Sequence, residues 1–151
     1  MRFDYDLESA PVLKPVDDGI YLLEVVQDKY KKNDETGTEC CTFEFKILAP
    51  DNVIIDGARV ERLYVPFYIS AKDPMLTLGM SFRPLFEACG KLEQGRKDFD
   101  TEELYGSIFG AEIVKQPGTP EYPNPKNVIR NYFSQENCPP PEVKPPKEDA
   151  A

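Results

Sequence analysis

The chain has 151 residues, of which 30% are charged, and a formal net charge of −9 at pH 7. This length suffices for one domain with a hydrophobic core but hardly for two. Its apolar runs are far shorter than the roughly 20 residues that cross a bilayer, and the acidic start "MRFDYDLESAP" is unlike a signal peptide. We therefore expect a soluble cytoplasmic protein with no membrane partner.

Four cysteines are present, and histidine is missing from the sequence. Cys40 and Cys41 are neighbours, so in a strand they would point to opposite sides and could not hold one metal ion together. Without histidine the chain lacks the commonest general base and any Ser-His or Cys-His nucleophile. We expect free thiols, no metal site, no cofactor and no enzymatic activity.

Three strands are predicted in the first half of the chain. Residues 19–32 are apolar at first and turn polar towards the end, which suits a long strand that is buried mainly in its first part. After the turn-forming residues 33–37, "TECCTFEFKIL" alternates and places apolar side chains on one side: Cys41, Phe43, Phe45 and Ile47. Residues 58–70 alternate again, and Pro66 among them cannot donate to a neighbouring strand, which indicates an edge strand.

Two short helices are predicted next. Residues 81–90 have Ser81 as a plausible N-cap and a glycine at the end. Residues 100–106 have Asp100 as N-cap and Glu103 at the position that completes a capping box.

Two more alternating segments, 107–116 and 127–134, predict the last strands. Three strands, a helical insert and two strands are the element order of the OB-fold, a five-stranded β-barrel with its helix between strands three and four. We therefore predict an all-β, OB-fold nucleic-acid-binding domain over residues 1–134. Residues 135–151 are rich in proline and acids and predict a disordered tail.

One side of the predicted sheet combines aromatic rings with cations. Unstacked bases lie on aromatic rings, while Lys and Arg contact phosphates, and OB-folds bind oligonucleotides across strands two and three. The residues that the alternation turns outward are Lys46 on the second strand, Arg62, Tyr64 and Tyr68 on the third, and Arg130 and Tyr132 on the last, whose Ile129 and Phe133 turn inward.

Two predicted loops border this side. Tyr30, Lys31 and Lys32 end the first strand where the first loop begins, and Tyr122 and Lys126 belong to the proline-rich loop before the last strand. Together these residues predict a groove for single-stranded nucleic acid, in which tyrosines stack on bases and cations follow the phosphates.

Other interpretations stay open. Tyrosine is common on strands for packing alone, and lysines at strand ends discourage edge pairing. The net charge of −9 also suits an acidic protein-interaction module, or a DNA mimic that blocks a host nucleic-acid-binding protein. A slip of one residue would exchange the two sides of any of these strands.

Short motifs in the chain resemble a family of bacteriophage proteins. The matching segments lie between Val12 and Tyr132 and read "DGIYLLEV", "ETGTE", "TFEFKIL", "IIDGARV", "FRPLFEACG", "DTEELYG" and "NVIRNY". That family was formerly catalogued as of unknown function and is associated with single-stranded DNA binding through an OB-fold.

The resemblance implies a viral protein that coats single-stranded DNA during phage DNA replication or recombination in the cytoplasm of the bacterial host. It also suggests replication or recombination proteins as partners of the C-terminal tail, although the chain ends in alanines where cellular single-strand-binding proteins often have a terminal aromatic residue. A second departure is the loop after the first strand, where the acidic residues Asp34, Glu35 and Glu39 stand in place of the expected basic ones.

Overall fold

A computed structural model describes residues 1–5, 7, 15–120 and 124–144. In these residues a six-stranded antiparallel sheet has the order β5-β2-β1-β6-β7, with β8 beside β1, and β3 and β4 form a separate hairpin. The all-β class that the sequence predicts is confirmed. The strands are β1 (Gly19–Lys32), β2 (Glu39–Ala49), β3 (Ile54–Ile55), β4 (Ala58–Arg59), β5 (Arg62–Ile69), β6 (Ile108–Gln116), β7 (Lys126–Ser134) and β8 (Glu142–Val143).

Two short α-helices lie between β5 and β6: α1 (Pro74–Met80) and α2 (Phe82–Ala88). The helix predicted at 81–90 is confirmed as α2, whereas α1 is missing from the sequence prediction. The Asp73 carboxylate begins α1 by accepting a hydrogen bond of 3.2 Å from the backbone N–H of Leu76. In the described ranges, no helix is long and apolar enough to cross a membrane.

The short helix predicted at 100–106 is a 3-10 helix, Thr101–Leu104. Asp100 caps it as predicted, because its side chain accepts a hydrogen bond from the N–H of Glu102 at 2.9 Å. Glu103 instead forms a salt bridge with Arg96 through both carboxylate oxygens. The guanidinium group, which offers a matching pair of donors, therefore replaces the predicted capping box.

A cluster of aromatic rings fills the inner side of the sheet. The Phe43 ring lies 4.9 Å from that of Phe67 on β5 and 6.1 Å from that of Phe82 on α2, between ring centroids. The Phe45 ring contacts that of Phe109 on β6 at 5.2 Å. These edge-to-face contacts are the favourable arrangement for aromatic pairs, and they join three strands and a helix in one core.

The two end strands of the sheet approach each other through side chains. The ring of Phe67 on β5 lies 6.4 Å from the ring of Tyr132 on β7, in an edge-to-face contact. Paired strands lie about 4.8 Å apart, and no backbone pairing joins β5 to β7 among the described residues. The sheet is curled, but it is not closed into the barrel that the sequence predicts.

Residues 135–144, named the C-terminal segment here, differ from the predicted disordered tail. They contain a turn and the strand β8, which pairs with Gly19 and Ile20 at the start of β1. The pairing of β2 with β1 begins only at Leu22. The proline-rich segment therefore finds its partners on the backbone edge that β2 leaves open, which composition alone does not reveal. Residues 145–151 of the predicted tail lie outside the described residues.

Two glycines allow the C-terminal segment to approach the sheet closely. A Cβ atom on Gly19 would lie 2.9 Å from Cα of Val143, and one on Gly110 would lie 2.7 Å from Cβ of Cys138. Real Cβ atoms essentially never come this close to other heavy atoms. At both positions a residue without a Cβ atom is needed for the C-terminal segment to pack this closely on the sheet.

The substitution Gly19→Ala is expected to lower the free energy of unfolding by about 1–3 kcal/mol, because the added methyl group overpacks the contact with β8. Urea unfolding of the full chain measures this loss. The matched control is the same substitution in a chain that ends at residue 140 and so lacks β8, where the cost should disappear. An equal cost in both chains would contradict the close packing of β8 on Gly19.

Candidate nucleic-acid interface

An extra residue in β1 decides which of its side chains point outward. Val25 pairs with Phe45, and Gln27 pairs with Glu44, so that Val26 is the additional residue of a β-bulge. Directly paired residues share one side of a sheet. Gln27 and the lysines at positions 29 and 31 therefore lie on the outward side, next to the outward side chains of β2.

We name the outward side of β1, β2 and β5 the cationic face. Its strand register places Lys46 between Arg62 and Glu24, and Cys40 between Tyr68 and Lys31. Its cations are Lys29, Lys31, Lys46 and Arg62, its tyrosines are Tyr64 and Tyr68, and its carboxylates are Glu24 and Glu44. The sequence prediction of an outward side with Lys46, Arg62, Tyr64 and Tyr68 agrees with this register.

The carboxylate of Glu44 lies in the middle of the cationic face and is almost fully covered, with 9% of the residue exposed. It forms a salt bridge with Arg62, and the Tyr64 hydroxyl donates to it at 2.9 Å. Burial alone would raise the pKa of Glu44, but the hydrogen bonds from Tyr64 and Arg62 outweigh it and lower that pKa below its ordinary value. Glu44 is therefore ionised, and the positive charge of Arg62 compensates its negative charge within the face.

Arg62 and Tyr64 therefore already bind Glu44, a residue of the same face. The guanidinium group contacts Glu44 through Nη1, and 42% of the Arg62 side chain remains exposed. The Tyr64 ring is half-buried and its hydroxyl is already a donor to Glu44. Of the two, Arg62 is the better placed to contact a ligand as well.

Tyr68 is the most exposed ring of the cationic face, at 45%. The Lys126 ammonium group lies over it, 5.4 Å from the ring centroid, within the range of a cation–π contact. This contact brings the first residue of β7, and with it the end of the loop after β6, to the edge of the face. Tyr122, which the sequence places in the same loop, lies outside the described residues.

Tyr30 and Lys32 lie on the opposite side of β1 from the cationic face. Tyr30 pairs with the buried Cys41 and Lys32 pairs with Glu39, and the Tyr30 hydroxyl donates to the Glu39 carboxylate at 2.6 Å. Of the predicted cluster at the end of the first strand, only Lys31 reaches the face. The bulge at Val26 causes this difference, because it exchanges the two sides of the strand beyond it.

The predicted outward orientation of Tyr132 is wrong. Its ring packs against the core, stacked on Phe109 at 6.4 Å and edge-on to Phe67, and burial raises the pKa of its hydroxyl. The register of β7 shifts at Arg130: Glu112 pairs with Asn131, but Ile113 pairs with Ile129. This bulge turns Tyr132 inward, although strict alternation from Ile129 would turn it outward.

Arg130 does point outward, but it belongs to a different cluster. Its guanidinium Nε lies 3.9 Å from the carboxylate of Glu112, which also binds Asn131 and Lys144 of the C-terminal segment. In the sheet order, β1 and β6 separate β7 from β2. Arg130 therefore pairs with the carboxylate that also binds the C-terminal segment, and the register does not bring it to the cationic face.

Sequence reasoning did not assign Lys29 to the outward side, and it missed the part played by Glu44. Lys29 belongs to the run "KYKK", and only the position of the bulge determines which lysines of the run share a side. Glu44 alternates with Phe43 and Phe45, so the pattern does place it outward. What the pattern does not contain is its pairing with Arg62 across the strands, which needs the register.

Burial affects the chemistry of two of the cysteine thiols. Burial raises the pKa of the Cys41 and Cys89 thiols to about 12, so that both stay protonated at neutral pH. Within the part of the chain that the structure describes, no three Cys, Asp or Glu side chains are grouped to hold a metal ion.

Comparisons with known proteins add no family to this geometry. No model of a protein family matches the chain, and a search of curated proteins found no match either.

The substitution Glu44→Gln is expected to lower the free energy of unfolding at pH 7 by about 1.5 kcal/mol, the low end for hydrogen bonds to charged groups, because solvent screens the half-exposed Arg62. The pKa of Glu44 is lower in the folded than in the unfolded chain. Its stabilisation is therefore complete above its ordinary pKa of 4.5 and is lost as the pH falls through the lowered folded-state pKa.

Urea unfolding at a series of pH values measures this difference between the two chains. The difference should be largest at neutral pH and shrink in acid. The substitution Glu24→Gln on the same face is the control, since no ion pair of the described residues involves Glu24. A gap between wild type and Glu44→Gln that does not change with pH would contradict the ionised state of Glu44.

Proposed function

We propose that this chain binds single-stranded DNA, largely independent of base sequence, on its cationic face. The observation that carries the proposal is the placement of four cations and an exposed tyrosine on one continuous side of β1, β2 and β5. Grooves for single strands combine cations that follow the backbone with rings on which bases stack.

The local charge of the face favours a polyanion in spite of the acidic chain. Its four cations against two carboxylates leave a net charge of +2, whereas the whole chain carries −9. Contacts with phosphates are short-ranged at physiological salt, where the Debye length is about 8 Å. Binding therefore follows the charge of the face, and the net charge mainly limits the rate of encounter.

Lys46 supplies a second argument. The strand register sets it directly opposite Arg62, and like charges in directly opposed positions destabilise a sheet. The salt bridge with Glu44 compensates the charge of Arg62 but does not include Lys46. A phosphate group between Lys46 and Arg62 would relieve the remaining repulsion.

Tyr68 is the residue that we assign to base stacking. Its exposed ring can receive a base on the face, and Lys126 over the ring provides a cation for the adjacent phosphate. Lys29 and Lys31 extend the cationic path along β1, where they pair with Thr42 and Cys40 of β2. Tyr30, Lys32, Arg130 and Tyr132, which the sequence also predicts as ligand contacts, have no part in this arrangement.

The arrangement of strands supports an OB-type interpretation with an open edge. The order β5-β2-β1-β6-β7 sets the third and second long strands side by side, with the helices inserted before the fourth. OB-folds bind oligonucleotides on strands two and three, which correspond to β2 and β5. The cationic face occupies these strands together with β1.

The biological setting of the proposal comes from the sequence motifs. Their resemblance to phage single-strand-binding proteins suggests a role in phage DNA replication or recombination, in the cytoplasm of a bacterial host. The rival function, an acidic module that mimics DNA and blocks a host nucleic-acid-binding protein, is favoured by the net charge of −9. Direct binding measurements separate the two.

A labelled single-stranded oligonucleotide should bind the full chain with an affinity that falls as salt rises. For about three to five phosphate contacts, the plot of log affinity against log salt should have a slope of roughly −2 to −3.5. Fluorescence anisotropy at several salt concentrations measures it, with duplex DNA of the same sequence as the comparison. A chain that never binds the oligonucleotide, yet displaces it from a host single-strand-binding protein, would support the mimic instead.

The substitution Tyr68→Ala should weaken oligonucleotide binding by about 1–3 kcal/mol, the range for one stacked base. The matched control is Tyr30→Ala, which removes an exposed tyrosine from the opposite side of the same sheet and should leave the affinity nearly unchanged. Equal losses in both variants, measured by the same anisotropy titration, would show that the cationic face is not the binding surface.

A further inference from the structure

A groove between the helices and the loop after them lies outside the cationic face. Its volume is about 870 Å³, within the range of about 300–1,000 Å³ for ligand pockets. The loop residue Phe99 forms one wall, with its ring 5.5 Å from that of Phe82 and 5.4 Å from that of Phe86 on α2. The apolar lining is Met75, Leu78, Phe82, Phe86, Leu92 and Phe99. We name this cavity the helix groove.

The helix groove combines an apolar floor with a cationic rim. Arg83, Lys91 and Lys97 line it, and none of the ion pairs among the described residues includes them. Arg96 is the fourth cation of the lining and is bound to Glu103. Four cations against two lining carboxylates give the groove a net charge of +2. An occupant of the groove should therefore be apolar and acidic at once.

The start of the chain has this chemistry. In "MRFDYDLE" the apolar residues at positions 1, 3, 5 and 7 alternate with charged ones, of which three are carboxylates and one is an arginine. The apolar side chains that the structure describes are strongly exposed: Phe3 at 69%, Tyr5 at 83% and Leu7 at 85%. In an extended conformation, alternate residues point to the same side. One side of this segment would then be an apolar stripe and the other would be acidic.

We propose that the helix groove binds the N-terminal segment, residues 1–8, of a second copy of this chain. Phe3, Tyr5 and Leu7 would enter the apolar floor, while Asp4, Asp6 and Glu8 meet the cations of the rim. Large exposed apolar patches on soluble proteins mark interaction sites, and here two such patches on one chain have opposite charge. Because the segment and the groove are different surfaces of the chain, the copies can associate by reciprocal exchange of segments or in a head-to-tail series. The inference is independent of the proposed DNA binding.

Sedimentation velocity of the full chain without DNA, over a hundredfold range of concentration, tests the proposal. The wild-type chain should gain mass with concentration. The variant Asp4→Lys/Asp6→Lys alters only the segment, and Arg83→Glu/Lys97→Glu alters only the rim. Each should weaken self-association by about tenfold or more, because every 1.4 kcal/mol lost is a factor of ten. The control Arg59→Glu/Lys72→Glu makes the same change of charge as the rim variant outside the groove and should still associate.

Mixing the segment variant with the rim variant supplies the decisive result. The rim variant keeps an intact segment and the segment variant keeps an intact groove, so the mixture should recover association that neither variant shows alone. The substituted side chains that the structure describes, Asp4, Arg59, Lys72, Arg83 and Lys97, are exposed, and circular dichroism checks that each variant is folded. A wild-type chain that stays a monomer at every concentration, or a mixture without recovery, would overturn the proposal. So would a rim variant that associates normally but loses oligonucleotide affinity, since the groove would then be a nucleic-acid site.

Discussion

The aromatic cluster under the sheet is the constraint on which the remaining structure depends. Phe43 contacts rings from β5 and α2, and Phe109 and Tyr132 continue the cluster across β6 and β7. Because these rings attract both end strands towards one centre, the sheet curls around them, and its inner side has no room for charge. Over the part of the strands that covers this cluster, charged residues such as Glu44, Lys46 and Arg62 consequently lie on the outward side. The cationic face is in this sense a product of core packing, combined with the register that aligns its strands.

Glu44 shows how a cationic surface is maintained on an acidic chain. A carboxylate at the centre of the face would repel phosphate if it were exposed and unpaired. The salt bridge to Arg62 and the hydrogen bond from Tyr64 cover it and compensate its charge. The same contacts fix the guanidinium group and the ring, so that a ligand would meet side chains that have already lost part of their conformational freedom. The compensation of Glu44 leaves Lys29, Lys31 and Lys46 to dominate the potential of the face.

Periodicity alone predicted most of the sheet, and two bulges account for most of the errors in the site. The change from apolar to polar residues predicted the bounds of β1, alternation predicted the inward residues of β2, and Pro66 does lie in an end strand. The extra residues at Val26 and Arg130 reverse the alternation beyond them, which moved Tyr30 off the face and Tyr132 into the core. No local signal of composition marks either bulge, because each depends on the partner strand. Likewise, α1 has only seven residues and none of them is buried, so it lacks the apolar periodicity by which a helix is recognised.

The cationic face and the helix groove are connected through the end of β5. Two residues after Tyr68, the backbone N–H of Ser70 donates to the Thr77 hydroxyl on α1 at 3.0 Å. This hydrogen bond holds α1 to the end of the strand that carries the exposed ring. Copies with a net charge of −9 repel one another, and neighbours on a single strand would be forced into close approach. The proposed contact between an acidic segment and a cationic groove would supply attraction where the copies meet, because the charges would be closer than the Debye length of about 8 Å beyond which salt screens them. Copies bound to one DNA strand would be held close together, which raises the local concentration of each segment near the next groove. Contact between copies would in turn hold several cationic faces near the strand, so the two interactions would strengthen each other.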